Sequence, residues 1–228
     1  IDAIVSEFQA LEFIAGWSYD SRNRAIFADR GTRQRLFVNY AIPGSDVEYF
    51  TARYDIRKYL SLPAGFTFSL NGEVAFGEGL GSTTALPPYK QFRAGGPDSV
   101  RGFGEAELGP IDSFGNPYGG NLLVASQLEL IIPTPEKWRS RARVSLFYDI
   151  GNVFNTGEVA FTDRLGDPIT YEFERDDLKQ SVGIAAEWLA PLGLFRFSYA
   201  LPLNDFGGNS REFGDDIERF QFSIGNAF

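Results

Sequence analysis

The sequence predicts an all-β protein, an antiparallel, up-and-down transmembrane β-barrel with about nine strands in this chain. Three observations predict this fold class. Segments of roughly ten residues alternate between apolar and polar side chains, as strands do that cross a bilayer at a tilt. Aromatic residues make up 15% of the chain, and many lie near segment ends, as in an aromatic girdle. Short and long connections alternate along the chain.

In each segment the apolar residues occupy every second position, which we call the apolar parity. This alternation is weaker in the first two segments than in the rest. In chain order the apolar residues are Leu11, Phe13, Trp17 and Tyr19; Leu36, Val38 and Tyr40; Phe50, Ala52, Tyr54 and Ile56; Phe66, Phe68, Leu70, Val74 and Phe76; Leu122, Val124, Leu128, Leu130 and Ile132; Val144, Leu146, Tyr148 and Ile150; Val182, Ile184, Ala186 and Trp188; Phe195, Phe197, Tyr199, Leu201 and Leu203; and Phe220, Phe222, Ile224 and Phe228. The opposite parity includes Gln127, Glu129, Asp149 and Arg196. We expect the apolar parity to face lipid and the polar parity to face a wet lumen.

A soluble β-sandwich is the alternative, because its strands alternate as well. In a sandwich the inward face is a continuous apolar core and the outward face is polar. Here the polar parity carries charges and glycines in mid-strand, and the apolar parity is rich in Phe, Tyr and Trp near the strand ends. Both features favour the membrane barrel.

The connections predict an orientation. If strands alternate in direction, the long stretches share one side and most short ones share the other. The long stretches are 78–120, 154–178 and 204–216, and the short side holds 21–31, 61–65, 133–141 and 191–193. Outer-membrane barrels have long external loops and short periplasmic turns. We therefore expect the long stretches outside, together with the short hairpin at 43–46.

The composition excludes several kinds of chemistry. The chain contains no Cys, His or Met, so it lacks thiolates, imidazoles and the usual transition-metal ligands. Its net charge of −9 is opposite in sign to the surface that binds nucleic-acid phosphates. We therefore expect no enzyme, no cofactor and no nucleic-acid partner. A carboxylate-only cation site is the remaining alternative, at Asp205, Asp215, Asp216 and Glu218. These residues lack an EF-hand-like spacing, so we expect no metal site.

The stretch 78–120 is far longer than an ordinary structureless connection, which predicts a functional loop. It holds many glycines, which permit close backbone approach, and the tetrapeptide Val100-Arg101-Gly102-Phe103. Long external loops of barrels can fold back into the lumen. Because the loop is Gly-rich, we expect it to offer little apolar surface and to need a charged anchor.

Several motifs occur in an order that resembles a known family. Besides VRGF at 100–103, they are GGNL at 119–122, ELIIPTP at 129–135, FYDIGNVF at 147–154, WLAPLG at 188–193, FSYA at 197–200 and RFQFSIG at 219–225. Together they resemble the BamA-like outer-membrane protein assembly factors, a surface-antigen family with periplasmic POTRA domains and a VRGF loop inside the barrel. The resemblance is to the carboxy-terminal part of the family's barrel, so it implies that this chain forms about nine strands of a larger barrel. It implies that residues 1–228 are a single barrel-domain fragment.

The resemblance also implies a function. That function is the assembly and insertion of β-barrel proteins into the outer membrane of Gram-negative bacteria, through an edge strand at a lateral seam. The implied partners are outer-membrane lipids, unfolded outer-membrane protein clients and, through POTRA domains, assembly-complex lipoproteins. A two-partner-secretion-type polypeptide transporter, whose family shares a VRGF-like loop, or a porin is the alternative.

Arg101 is the residue of the motif best suited to anchor the loop. Glu129 and Asp149 lie on adjacent segments, and both have the inward parity. A planar guanidinium suits two carboxylates better than the ammonium of Lys does. We therefore predict a loop latch in which Arg101 hydrogen-bonds Glu129, Asp149 or both. The same carboxylates could form a glycosidase pair, but nothing in the sequence indicates a sugar cleft.

The last segment has two interpretations that are compatible. Phe220, Phe222, Ile224 and Phe228 are lipid-facing side chains, and they also resemble the carboxy-terminal recognition signal of many outer-membrane barrels. We expect this terminal strand to form a sheet edge or seam. Gly225 is expected to weaken its pairing, because glycine contributes no side chain to the sheet.

Overall fold

The computed structural model describes residues 9–157 and 159–225 as an all-β fold. Nine long strands form one antiparallel sheet, in which neighbours along the chain are neighbours in the sheet. Numbered together with four shorter strands, they are β1 Glu12–Asp20, β2 Gly31–Ala41, β3 Tyr49–Ser61, β4 Thr67–Gly79, β6 Leu122–Ile132, β7 Ala142–Phe154, β10 Lys179–Ala190, β11 Gly193–Pro202 and β13 Phe220–Gly225. These strands coincide with the alternating segments, so the predicted up-and-down architecture is confirmed.

The connections contain the remaining elements. The four short strands are β5 Gly102–Phe103, β8 Phe161–Thr162, β9 Pro168–Ile169 and β12 Ile217–Glu218. Two 3-10 helices span Pro63–Gly65 and Pro88–Lys90. Within residues 9–157 and 159–225, no helix has the length and apolar character needed to cross a membrane.

The sheet is open in the described part of the chain. There, β1 and β13 each have a single neighbouring strand, and they do not pair with each other. β13 is also short, with 6 residues that pair with β11. Its far edge thus presents backbone N–H and C=O groups that have no partner strand among the described residues.

The register sorts the alternating side chains onto two faces. Leu146 on β7 stands opposite Leu130 on β6 and Ile184 on β10, and all three lie on one face, which we call the outer face. Leu146 is 48% exposed and Ile184 is 56% exposed, and no second sheet covers them in the described residues. A contiguous apolar face suits lipid rather than water, so the sandwich alternative is wrong.

Polar side chains line the opposite face, which we call the inner face. Arg35 on β2 donates to Asp55 on β3 at 3.0 Å. Asn71 on β4 donates its side-chain amide to Gln127 on β6 at 2.9 Å. These cross-strand hydrogen bonds satisfy polar groups that a bilayer could not solvate, and they place the predicted inward parity on the inner face.

The connections fall at two ends of the sheet, as their lengths predicted. Those after β2, β4, β7 and β11 lie at one end, and those after β1, β3, β6 and β10 lie at the other. The connection 21–30 is more than a simple turn, because Phe27 and Ala28 are buried. Arg143 on the inner face donates to the Ala28 carbonyl at 2.7 Å. This inward fold was not predicted from the sequence.

Candidate functional site

The connection between β4 and β6, residues 80–121, packs against the inner face. Its backbone is organised by antiparallel bridges that join Phe92 to Gly120 and Ala94 to Leu108. Its side chains contact β6 and β7, and its backbone contacts β13. The VRGF tetrapeptide therefore lies on the face that the family resemblance implied.

Apolar packing holds much of this loop. Val100 and Phe103 are both 0% exposed. They belong to one cluster with Ala94 and Leu108 of the loop and with wall residues Ala75, Leu123, Ala125 and Val153. Fully burying a side chain such as Val or Phe contributes ~1.5–3 kcal/mol. The expectation that a Gly-rich loop offers little apolar surface is therefore wrong, because a few large side chains fill the space against small wall residues.

Arg101 contacts both predicted carboxylates. Its Nε and Nη2 atoms donate to the two oxygens of Asp149 at 2.6 and 2.7 Å, and Nη1 donates to Glu129 at 2.6 Å. The backbone N–H of Arg101 also donates to Asp149, at 3.0 Å. The Ser145 hydroxyl donates to the second oxygen of Glu129 at 3.3 Å, which fixes that carboxylate. The geometry matches the prediction, whereas the role of these contacts as a latch stays a prediction.

An aromatic ring completes the surroundings of Arg101. The guanidinium carbon lies 3.6 Å from the ring centre of Phe147 on β7, a close cation–π contact. The ring has space because Gly183 stands opposite it on β10, where a Cβ would lie 2.6 Å from the ring. Burial alone would lower the pKa of Arg101, but hydrogen bonds and charge from Asp149 and Glu129 raise it overall, so Arg101 stays charged.

Sequence reasoning missed the part that Phe147 plays in this site. A signal was available, since Phe147 is a large aromatic residue on the inward parity, two positions from Asp149. Its contact with Arg101 could not be derived, because parity assigns a face without assigning a partner. The same limit applies to Gln221 on β13, which is 2% exposed and faces the loop.

The terminal strand presents its predicted apolar residues to the outer face. Phe220, Phe222 and Ile224 are all exposed there, and the ring of Phe222 lies 5.0 Å from that of Phe197 on β11. Gly225 ends β13, and the predicted Phe228 lies outside the described residues. β13 is the last strand of the sheet in the described residues, and its role as an edge or seam stays a prediction.

The chain matches known proteins along almost its whole length. The Omp85 superfamily domain matches residues 6–228. The chain belongs to the Omp85 superfamily. Among its Omp85 relatives, outer membrane protein assembly factor BamA of Neisseria meningitidis serogroup B is 34% identical over 93% of this chain. BamA of Nitratidesulfovibrio vulgaris is 30% identical over 63% of the chain. The chain spans 28% of the first relative's length and 16% of the second's.

A solved structure shows the same Omp85 architecture. The crystal structure of BamA from Haemophilus ducreyi lacking POTRA domains 1-3 matches with a TM-score of 0.79 and 29% identity. The match covers 92% of this chain and 41% of that one. The predicted class, a part of a larger transmembrane β-barrel, is therefore confirmed. The BamA relatives also confirm the predicted location in the bacterial outer membrane.

Proposed function

We propose that this Omp85 chain takes part in assembling and inserting β-barrel proteins into the bacterial outer membrane. The BamA relatives are named for outer membrane protein assembly, and the chain aligns with one of them over 93% of its own length. The observation that carries the proposal is this alignment, and the exposed apolar outer face of the sheet supports it. The proposed activity involves no bond-making step and no cofactor.

The proposed mechanism is strand addition at that edge. Unpaired N–H and C=O groups of a sheet edge are a template for another strand. An incoming client strand would pair with β13 through main-chain hydrogen bonds, which are independent of the client's side chains. Its apolar residues would then lie beside Phe220, Phe222 and Ile224 on the lipid-facing side. Such a mechanism accounts for the handling of clients with different sequences.

The contacts of Arg101 support a role as a loop latch. Arg101 is 5% exposed and Asp149 is 0% exposed, so the pair is shielded from bulk water. Opening the loop would separate Arg101 from Asp149 and leave an uncompensated buried charge. Because such a charge is costly, the closed loop is strongly favoured. We infer that the latch keeps residues 80–121 on the inner face while the edge of β13 is in use.

The partners in this proposal follow from the same placement. Outer-membrane lipids would contact the exposed apolar outer face, and unfolded outer-membrane proteins would reach the β13 edge. Assembly-complex lipoproteins would bind through POTRA domains in the whole protein. Residues 1–228 would form a single barrel-domain fragment, with the loop at 78–120 entering from the external side.

A crosslinking experiment tests the strand-addition mechanism. Residues 1–228 contain no Cys, so in the full-length protein, with any Cys outside them replaced, a single Phe222→Cys substitution provides a unique thiol in β13 that is as exposed on the outer face as Leu146. During client insertion into lipid vesicles, this thiol is expected to form disulfides with cysteines placed along a client's terminal strand. Leu146→Cys is the matched control, because β7 already has neighbours on both sides. Equal crosslinking at both positions would overturn the mechanism, and an unaltered protein that inserts no client would overturn the function.

A further inference from the structure

The segment of the loop that follows Arg101 is bound to the end of the chain. β5 pairs antiparallel with β12, with Phe103 opposite Ile217 and Gly102 opposite Glu218. The Gly104 N–H donates to the Asp216 carbonyl at 2.9 Å. β12 leads directly into β13, so the loop is joined to the last strand of the described sheet.

Gln221 extends this pairing with its side chain. Its carboxamide oxygen accepts from the Gly102 N–H at 3.3 Å, and its carboxamide nitrogen donates to the Phe103 carbonyl at 2.7 Å. A carboxamide has the same donor and acceptor as a peptide group, so it continues the β5 ladder after β13 has turned to pair with β11. Gln221 is 2% exposed, and water therefore cannot replace these bonds easily.

Gly102 allows the loop to approach the wall this closely. Its φ is +92°, and a Cβ at this position would lie 2.9 Å from the Cβ of Ala200 on β11. The residue before it, Arg101, is bound to β6 and β7. Two successive residues therefore attach to opposite parts of the sheet, Arg101 to its centre and Gly102 to its last strand. A shift of either residue must strain the attachment of the other.

We propose that Gln221 is a positioning residue that couples the Arg101 site to the terminal strand, so that the loop and β13 are held or released together. Coupling of this kind is reciprocal, because each site changes the other by the same free energy. A strand added to the edge of β13 would thus change how tightly the loop is bound to the inner face. That consequence rests on the proposed function, whereas the coupling itself does not.

A double-mutant cycle read by amide hydrogen exchange tests the coupling. The full-length protein in lipid bilayers is compared with Arg101→Ala, Gln221→Met and the double variant. In Arg101→Ala, exchange at residues 220–225 is expected to rise about tenfold, the effect of losing one or two hydrogen bonds. In the Gln221→Met background, Arg101→Ala is expected to add little, because the connection between the two sites is already broken. The non-additive part measures the coupling.

Gln127→Met is the matched control. Gln127 is also an inner-face glutamine that donates to the loop, at 3.2 Å to the Pro97 carbonyl, but it lies on β6 in the middle of the sheet. This variant is expected to loosen residues near Pro97 and to leave exchange in β13 unchanged. If Arg101→Ala prevents folding, Arg101→Lys takes its place in the same cycle.

Three outcomes would overturn the coupling. They are unchanged β13 exchange in Arg101→Ala, an equal effect of Gln221→Met and Gln127→Met on β13, and an additive cycle. Client insertion is measured separately on the same samples. Intact coupling with no client insertion by the unaltered protein would contradict the proposed function alone. Normal insertion with an additive cycle would contradict the coupling alone.

Discussion

On folding, Arg101 loses its hydration shell and gains contacts with two carboxylates and an aromatic ring. An ion pair taken out of water is favourable only when its geometry is good and the remaining donors are satisfied. Asp149 receives two side-chain bonds and one backbone bond from Arg101, and Glu129 receives a third side-chain bond. A point charge on a flexible chain could not match this planar set of contacts, which explains why an arginine suits the position.

Arg101→Ala is expected to destabilise the loop by ~3–5 kcal/mol, because it leaves Asp149 buried without its cation. Arg101→Lys should restore only part of this, since lysine cannot make the paired contacts. Limited proteolysis within residues 80–121 is the measurement. Arg211→Ala is the control, because Arg211 pairs with Asp167 at the surface, where ion pairs contribute ~0–1 kcal/mol. Equal protease sensitivity of the Arg101 and Arg211 variants would contradict the latch.

Phe147→Leu tests the aromatic side of the same site. The substitution keeps an apolar side chain of similar size but removes the ring face below the guanidinium, a contact that contributes ~0.5–2 kcal/mol. We therefore expect a smaller rise in protease sensitivity than in Arg101→Ala. Phe114→Leu, at an 85% exposed position of the same loop, should change nothing. An effect of Phe147→Leu no larger than that of Phe114→Leu would exclude a contribution from the ring.

Within a strand, alternation assigns opposite surroundings to neighbouring residues. In β7, Leu146 faces outward and half-exposed, whereas Phe147 faces inward and is buried. A shift of one residue in register would exchange these faces and place Asp149 toward lipid. The glycines and small residues of the inner face set how closely the loop can pack. β7 thus carries both the lipid surface and the Arg101 site.

Leu146→Arg is expected to destabilise the sheet by ~2–4 kcal/mol if the residue lies near the bilayer midplane. The cost arises because the new charge would stand between Leu130 and Ile184 on the apolar outer face. Phe37→Arg is the control, since Phe37 lies on the inner parity of β2 and is similarly exposed at 41%. Urea unfolding in lipid vesicles provides the measurement. A cost for Phe37→Arg that equals the cost for Leu146→Arg would contradict the assignment of the two faces.

Gly225→Val addresses the strength of the terminal pairing. Gly225 stands opposite Leu194, and the nearest atom to an added Cβ is a backbone oxygen 4.0 Å away, so the side chain fits. Replacing a strand glycine is expected to stabilise the strand by ~0.5–1 kcal/mol. Slower client insertion should accompany slower hydrogen exchange in β13. Faster insertion together with slower exchange would show that the weak pairing of this strand does not serve assembly.

The sequence predicted the strands and both faces well, because alternation with a period of two assigns every second residue to the same face. It also placed Arg101, Glu129 and Asp149 together, through parity and a motif. It failed where contacts are made between elements distant along the chain. The burial of Val100 and Phe103, the inward fold of residues 21–30 and the bonds of Gln221 all depend on which loop covers which part of the face. A strand pattern carries no information on that choice.

At the scale of the whole molecule, the loop and the turn both reduce the free space above the inner face. Residues 80–121 pack on the sheet near Asp149, and residues 21–30 fold over Arg143. Between them remains a polar cavity of about 360 Å³, whose lining includes Arg57, Arg143 and Glu187. The inner face of the described sheet is therefore covered from both ends, which supports the proposed assembly function over a conducting pore.

Single-channel recording of the full-length protein tests this arrangement, with low conductance as the expected result. Ordering a loop costs ~1–2 kcal/mol of backbone entropy per residue, so the Arg101 contacts cannot hold residues 80–121 alone. The burial of Val100 and Phe103 supplies further stabilisation that Arg101→Ala leaves in place. That variant should therefore open only intermittently.

Arg101→Ala combined with Phe103→Ala removes the ion pair and a fully buried ring, and it should open for long periods. Arg211→Ala should behave like the unaltered protein. Steady, large conductance of the unaltered protein would favour a porin, because the loop would then not obstruct the lumen.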